Sequence, residues 1–105
     1  MTLVKRVLIG LALALAVPTI AAAQAKGQDI FKAKCAMCHG ADGSASTGMG
    51  KSMGLKPLSS PEVQNMSDAD LTALITNGKG KMPAYKGKLT DAQIGDVVSF
   101  IRTLK

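Results

Sequence analysis

The run Cys35-Ala36-Met37-Cys38-His39 constrains this chain more than any other feature of its sequence. Two cysteines three positions apart lie about one helical turn apart, so both thiols can reach the two vinyl groups on one edge of a porphyrin. The histidine that follows falls beneath the ring, where an imidazole nitrogen can bind iron. Cys-x-x-Cys-His is the pattern of covalent haem attachment. We therefore predict one haem c per chain, held by two thioethers from Cys35 and Cys38, with His39 as an iron ligand.

Other uses of the same pattern fit this chain poorly. A structural zinc site requires four ligands, usually cysteine or histidine, and an iron–sulfur cluster needs a comparable set. The chain has two cysteines and one histidine in all. A thioredoxin-like Cys-x-x-Cys follows a strand inside a βαβ unit, but no Val/Ile-rich strand precedes Cys35. A disulfide across two residues would close too small a loop to stabilise the fold appreciably.

The N-terminal segment has the pattern of a secretory signal peptide. Lys5 and Arg6 precede an unbroken apolar run of eleven residues, which ends before Pro18, and small residues around Ala23 form a cleavage site. Cleavage after Ala25 is the alternative. The apolar run is shorter than the roughly 20 residues that span a bilayer, so we expect export to the periplasm and no stable membrane insertion after processing. The expected division is a cleaved signal peptide at 1–23 and one haem-binding domain at 24–105.

The composition indicates a small domain that depends on a cofactor for its core. The leader raises the hydrophobic content of 47% and the mean hydropathy of +0.19, so neither value indicates a membrane protein. Removing its two cations from 13 basic residues leaves 11 against 7 acidic residues, a net charge of +4. The chain has no Trp and three other aromatic residues, which is a thin supply for a core. A buried haem would supply the missing apolar volume.

The periodic segments of the mature region are all helical. We predict a helix at about 27–37, a helical turn that begins at Ser60-Pro61, a helix from Asp68 to about Asn77, and a final helix after Thr90. The glycine-rich segment 40–58 is predicted to be a loop. The fold class is therefore all-α, with three to four short helices and long loops wrapped around one covalent haem.

Capping patterns fix the limits of the two longer helices. Ser67 with Asp70, and Thr90 with Gln93, match the capping box, and Gly78 is placed to end the first of these helices in the left-handed conformation. The apolar positions of the final helix form a single stripe. They are Ile94, Val97, Val98, Ile101 and Leu104, with Phe100 beside them.

The second axial ligand is predicted by elimination. His39 is the single histidine, so a Met sulfur, a Lys amine, water or an open position remains for the opposite face of the iron. Met66 has a structural role before a helix, while Met49 and Met53 follow the motif closely and are expected to pack at the haem edge. Met82 lies farther along the chain, before a proline that biases it toward an extended backbone. We predict that Met82 is the sixth ligand, because Met/His ligation is typical of electron-transfer haems.

The whole mature region resembles the short bacterial class I cytochromes c. The matching residues are Gly27 and Phe31, the attachment motif with Gly40, Lys81-Met82-Pro83-Ala84-Tyr85, and the run from Asp96 to Ile101. The resemblance implies that the first and last helices cross at Gly27, with Phe31, Val97 and Phe100 packed at the crossing. It also implies that a proline carbonyl, for which Pro57 is the candidate, accepts the ring proton of the axial histidine.

The predicted function is one-electron transfer between redox proteins by a monomeric periplasmic carrier. Because both axial positions would be filled by the protein, no open site remains for a substrate, and we do not expect an enzyme. The alternative is a ligand-binding or peroxidase-like haem protein, which requires Met82 to leave the iron. A cytochrome c′ type is disfavoured because its motif lies near the C-terminus. A thiol oxidoreductase lacks its βαβ context.

Basic residues flank the two segments that should frame the exposed haem edge. They are Lys32, Lys34, Lys79, Lys81, Lys86 and Lys88. These charges either keep the protein soluble or form a docking ring for electron donors and acceptors with acidic surfaces. A nucleic-acid partner is not indicated, because the positive charge is modest and no aromatic residues are interleaved to stack bases.

Overall fold

The computed structural model describes residues 19–105, and most of the predicted leader lies outside that range. The helices are α1, described from 19 to 34, α2, Ala36–His39, α3, Gly48–Ser52, α4, Pro61–Gln64, α5, Asp68–Asn77, and α6, Asp91–Ile101. This part of the chain contains no β-strand, and its extended pairings are two isolated bridges. The all-α prediction is confirmed. The described part holds six helices instead of three or four, because two segments predicted as motif and loop each contain a short helix.

Helices α5 and α6 begin where their capping sequences predict. Thr90 Oγ1 accepts the backbone N–H of Gln93, and the Gln93 side chain accepts the N–H of Thr90, so that capping box is complete. Ser67 Oγ accepts the N–H of Asp70 at 3.0 Å. The hydrogen bonds of the described residues include no reciprocal bond at α5, because the side chain of Asp70 is one carbon shorter than that of a Glu or Gln. The capping box predicted there is only half formed.

Gly78 ends α5 with a positive φ of 74°, as predicted, but its ψ of 172° is extended. The predicted left-handed conformation is therefore wrong in ψ, and the chain leaves the helix directly into an extended segment. A side chain could not replace the hydrogen here, because a Cβ would lie 2.7 Å from the carbonyl oxygen of Met82 and 2.8 Å from the nitrogen of Ala84.

The first helix ends three residues earlier than predicted, at residue 34. Cys35 is a turn, and the N–H of Cys38 donates to the oxygen of Cys35 at 3.3 Å, three residues back. This bond spans three residues, as in a 3₁₀-helix, and interrupts the α-helical ladder. In that ladder the N–H of Cys38 would donate to the carbonyl of Lys34, four residues back. The attachment motif therefore forms a separate one-turn helix, α2.

The predicted loop 40–58 contains the short helix α3. Thr47 caps it by accepting the N–H of Gly50 at 2.9 Å, and its hydroxyl also donates to the carbonyl of Cys38 at 2.8 Å. A Cβ on Gly50 would meet the carbonyl oxygens of Cys38 and Ala45. One of the glycines that suggested a loop, Gly50, thus allows α3 to pack closely against α2.

Helices α1 and α6 meet at Gly27, as the resemblance implied. A Cβ at this position would overlap the carbonyl oxygen of Asp96 and touch the Cβ of Phe100. Beside this contact the rings of Phe31 and Phe100 pack with centroids 5.1 Å apart and tilted by 52°. The apolar stripe of α6 faces inward, with Val97 almost fully buried. The position of α1 on α6 therefore depends on the absence of a side chain at residue 27.

A cation after α6 fixes the junction between α4 and α5. Arg102 pairs with Asp68 at 2.8 Å and donates to the carbonyl oxygens of Gln64 and Met66. The side chain of Gln64 donates in turn to the carbonyl oxygens of Leu58 and Ile101. The bonds from Arg102 satisfy the carbonyls of Gln64 and Met66, which lie at and just after the end of α4. They hold the C-terminal end of α6 against the segment before α5.

Residues 19–23, the last part of the predicted leader, form the described start of α1. Residues 19–22 are all exposed, and Ile20 is 63% exposed. No helix among the described residues is both long and apolar enough to cross a membrane.

The contact at Gly27 predicts opposite effects for two Gly→Ala substitutions. Gly27→Ala should lower the free energy of unfolding by about 1–3 kcal/mol, because the new methyl group forces α1 away from α6. Gly95→Ala is the matched control: it lies within α6, a Cβ there meets nothing within 4 Å, and the change should stabilise by about 0.5–1 kcal/mol. Denaturant unfolding of the two variants measures the difference, and equal effects would contradict the close approach.

Candidate functional site

Two adjoining cavities lie between the attachment motif and the chain that follows α5. Their volumes are about 470 Å³ and 400 Å³, within the usual range for ligand pockets. Both are lined by Cys35, His39, Leu55, Lys79 and Met82. The first extends toward apolar side chains of α5 and α6, including Leu71, Ile75, Val97 and Ile101. The second includes Cys38, Pro83 and Tyr85.

The structure brings the four sequence-predicted site residues to this common space. Cys35 and His39 line both cavities, and Cys38 lines the second. The two cysteines are free thiols in the structure. Burial raises the pKa of the Cys35 thiol from 9.0 to about 11. Met82, far along the sequence, also lines both cavities.

The imidazole of His39 lies against the core, with its ring centroid 6.3 Å from that of Phe31. Burial lowers the pKa of His39, which favours the neutral ring that can bind a metal. Its Nδ1 atom is buried and has no hydrogen-bond partner among the described residues. The carbonyl of Pro57, the candidate acceptor, instead receives the N–H of Ser60 at 3.0 Å. The hydrogen bond expected between His39 and Pro57 is thus not formed.

The methionines divide according to the cavities that they line. Met66 lines the first cavity, and Met37 and Met53 line the second. Met49 lines neither and is 48% exposed, so its expected place at the haem edge differs from the structure. Met82 lines both. Met82 is the methionine that elimination from the sequence favoured. Its ligation of the iron stays a prediction.

Backbone hydrogen bonds hold the segment that carries Met82. The N–H of Met82 donates to the carbonyl of Lys79 at 3.0 Å, and the N–H of Lys79 donates back at 3.2 Å. Gly78 lets the chain fold tightly against Met82 and Ala84. Pro83 restricts the backbone of the residue before it. Met82 is therefore placed by a short turn that closes on itself.

Helix α3 supports the attachment motif, a role that the sequence reasoning missed. Thr47 bonds the carbonyl of Cys38, and the N–H of Ala45 donates to the carbonyl of His39 at 2.8 Å. Ala45 takes a φ of 60° to reach this position, which is uncommon for a residue with a side chain. The available signal was Thr47 itself, a good N-cap residue, but the surrounding glycines obscured it.

All six lysines predicted to flank the site are exposed. Lys34, Lys79 and Lys81 line the second cavity. Lys88 lies with its Nζ atom 5.9 Å from the ring centroid of Tyr85. The ion pairs of residues 19–105 involve none of the six, since they join Lys56 to Glu62 and Arg102 to Asp68. Lys34, Lys79 and Lys81 therefore bring three positive charges without an ion pair to the second cavity.

Comparison with known proteins identifies the family. Residues 22–101 match the family described as cytochrome c oxidase, cbb3-type, subunit III. A cytochrome c6 of Nostoc sp. is 39% identical over 99 residues, which cover 90% of this chain and 86% of the relative. A cytochrome c6 of Leptolyngbya boryana is 39% identical over 80 residues, which cover 73% and 87% of the two chains. The chain belongs to the class I cytochrome c family.

A longer relative of this cytochrome c contains a similar domain. The cbb3-type cytochrome c oxidase subunit CcoP of Azospirillum brasilense is 36% identical over 88 residues. That match covers 82% of this chain but only 30% of the subunit.

The site of this cytochrome c fits the haem that its family implies. Two thiols, one imidazole and one thioether line a shared space whose remaining walls are largely aliphatic. Imidazole and thioether are the axial ligands of electron-transfer haems, and thiols are the groups that form thioether links. Within residues 19–105, no three His, Cys, Asp or Glu side chains come together to bind a bare metal ion.

Proposed function

We propose that this cytochrome c is a periplasmic one-electron carrier with one covalently bound haem c. Cys35 and Cys38 would form the thioethers, and His39 and Met82 would be the axial ligands. The observation that supports this most directly is that His39 and Met82, distant in sequence, line both cavities. The matches with the cytochromes c6 cover 86% and 87% of those relatives, which supports a carrier role for this domain.

The haem, when bound, supplies a one-electron couple. Burial lowers the pKa of the His39 imidazole, which favours the neutral ring that would offer a nitrogen to the metal. Met82 would offer a soft thioether, which favours the reduced form and raises the potential. Leu71, Ile75 and Val97 line the larger cavity with apolar surface and would keep water away from a group bound there. If His39 and Met82 both bind the metal, the site offers no place for a substrate, and we propose no enzymatic activity.

Export to the periplasm rests on the predicted leader at 1–23. Cleavage after Ala23 or Ala25 would remove the exposed start of the described helix, including Ile20, and would keep Gly27 and Phe31 at the contact with α6. The mature domain would thus retain the residues that place α1. We propose that it acts as a monomer.

The exposed lysines support a partner with an acidic surface. Lys34, Lys79 and Lys81 are exposed and line the second cavity, which we propose as the side where an electron enters and leaves. A positive rim attracts an acidic protein and raises its association rate. Donor and acceptor would then use the same face in turn.

Covalent attachment is tested by mass and extraction. The mature protein should exceed the mass of its polypeptide by one haem, and acid-acetone should leave the haem on the chain. Cys38→Ala should retain at most one thioether and fold poorly, because the small core depends on the cofactor. Ser99→Ala, which removes an exposed hydroxyl, is the control and should keep the full mass. Haem that extracts freely from the unsubstituted protein would refute the attachment.

Axial ligation is tested at Met82. The oxidised protein should show the weak charge-transfer band near the red end of the visible spectrum that reports a Met–iron bond. Met82→Ala should abolish this band, lower the reduction potential and admit CO to the reduced iron, because a position on the metal is opened. Met66→Leu and Met53→Leu are the matched controls and should keep the band. Loss of the band in a control variant, with retention in Met82→Ala, would assign the ligand to that other sulfur.

The docking surface is tested by the salt dependence of electron transfer to ferricyanide, an anion, and to hexaammineruthenium, a cation. The rate with the anion should fall as salt rises, because the Debye length shrinks from about 10 Å at 0.1 M to about 3 Å at 1 M. The cation should show the reverse. Lys79→Gln with Lys81→Gln, which removes two charges that line the second cavity, should flatten both dependences. Lys26→Gln with Lys105→Gln removes the same charge from residues that line neither cavity, and equal effects of the two pairs would contradict a local docking surface.

A further inference from the structure

One side-chain hydrogen bond joins the two walls of the second cavity. The hydroxyl of Tyr85 donates to the carbonyl of Lys34 at 2.9 Å, across 51 positions of sequence. Lys34 lies on the side of the attachment motif, and Tyr85 lies three residues after Met82. Among the hydrogen bonds of the described residues, no other connects 27–40 with 78–90.

The acceptor is available because α1 stops at residue 34. In a continuous helix the carbonyl of Lys34 would receive the N–H of Cys38. That N–H donates instead to the carbonyl of Cys35. A carbonyl at the end of a helix then needs another donor, and Tyr85 supplies it. The same break that creates the attachment helix therefore leaves the carbonyl of Lys34 free to bind the loop that carries Met82.

The main chain of Tyr85 is fixed independently of its hydroxyl. Its N–H donates to the carbonyl of Ile75 at 3.1 Å, and the next residue, Lys86, donates to Thr76 at 3.0 Å. Its carbonyl accepts the N–H of Leu89 at 3.0 Å. The tyrosine ring thus extends from the end of α5 to the end of α1, and its hydroxyl closes the cavity between them.

We propose that Tyr85 is a positioning residue whose hydroxyl holds the Met82 loop closed against the attachment motif. This inference rests on the proposed ligation by Met82. When the bond to Lys34 breaks, the segment between Lys79 and Tyr85 loses its direct link to the motif side and can swing outward. The bond therefore limits how often Met82 leaves the iron, and with it the access of small ligands such as CO.

Tyr85→Phe tests the proposal, because it removes the hydroxyl and keeps the ring. In the reduced haem protein, CO binding requires Met82 to leave, so its rate follows the open fraction of the loop. Loss of one hydrogen bond should raise that rate about fivefold. The Met–iron band of the oxidised protein should remain, since the sulfur is intact, but it should disappear at a lower temperature than in the unsubstituted protein.

A matched control separates this effect from general destabilisation. Thr103→Val also removes one hydroxyl bonded to a carbonyl, that of Phe100, and Thr103 lines neither cavity. It should lower the free energy of unfolding by a similar amount without changing the CO rate. An unchanged CO rate in Tyr85→Phe, or an equal acceleration in Thr103→Val, would overturn the proposal.

A double-mutant cycle distinguishes the positioning role of Tyr85 from the ligand role of Met82. In the Met82→Ala background the position on the iron is already open, so Tyr85→Phe should bring no further acceleration. A remaining fivefold effect would mean that Tyr85 obstructs the path of CO rather than positioning Met82, and the proposal would fail. If Met82→Ala alone leaves CO binding unchanged, the axial ligation itself is refuted. If Met82→Ala accelerates CO binding and Tyr85→Phe does not, only the positioning role of Tyr85 is refuted.

Discussion

The buried side chains of α5 and α6 surround a space that they do not fill, and the rest of the structure depends on what fills it. Leu71, Ile75 and Val97 are buried against the protein on one side and line the larger cavity on the other. Apolar side chains that line an empty space gain little dispersion energy on that side, because no atoms lie there to contact them. A haem in contact with these residues would complete the core. Cofactor binding and folding would thus be coupled by packing as well as by the proposed thioether links.

The sequence predicted what depends on neighbouring residues. The caps Thr90 and Gln93, the stripe of α6 and the contact at Gly27 follow from local patterns or from the resemblance, and the structure has them. The errors arise where a local signal has two meanings. Glycine usually marks a loop, but Gly50 is needed for close packing of α3 on α2. Asp70 resembles a capping-box residue, yet its side chain is too short to complete the box.

Contacts between distant segments could not be predicted from patterns. The bond from Tyr85 to Lys34 exists because a helix ends one residue before Cys35, and no single-sequence signal gives that limit. Met82 was predicted as the axial ligand by elimination among the methionines, an argument from chemistry rather than geometry, and the structure places it in both cavities. The resemblance also implied a contact that is not formed: the ring of His39 was expected to donate to the carbonyl of Pro57, but its Nδ1 has no partner in the described structure.

The two sides of the site are held by interactions of unequal strength. The wall formed by α5 and α6 is fixed by buried side chains and by the bonds of Arg102. The loop of Met82 is held by turn hydrogen bonds and by Met82 and Tyr85, which are only half-buried at the margin of the core. Segments of this second kind open locally at a lower free energy than the core. If Met82 is the sixth ligand, the closed loop would give an electron carrier and the open loop a haem protein with a free position on the iron, and the exchange would leave the helices folded.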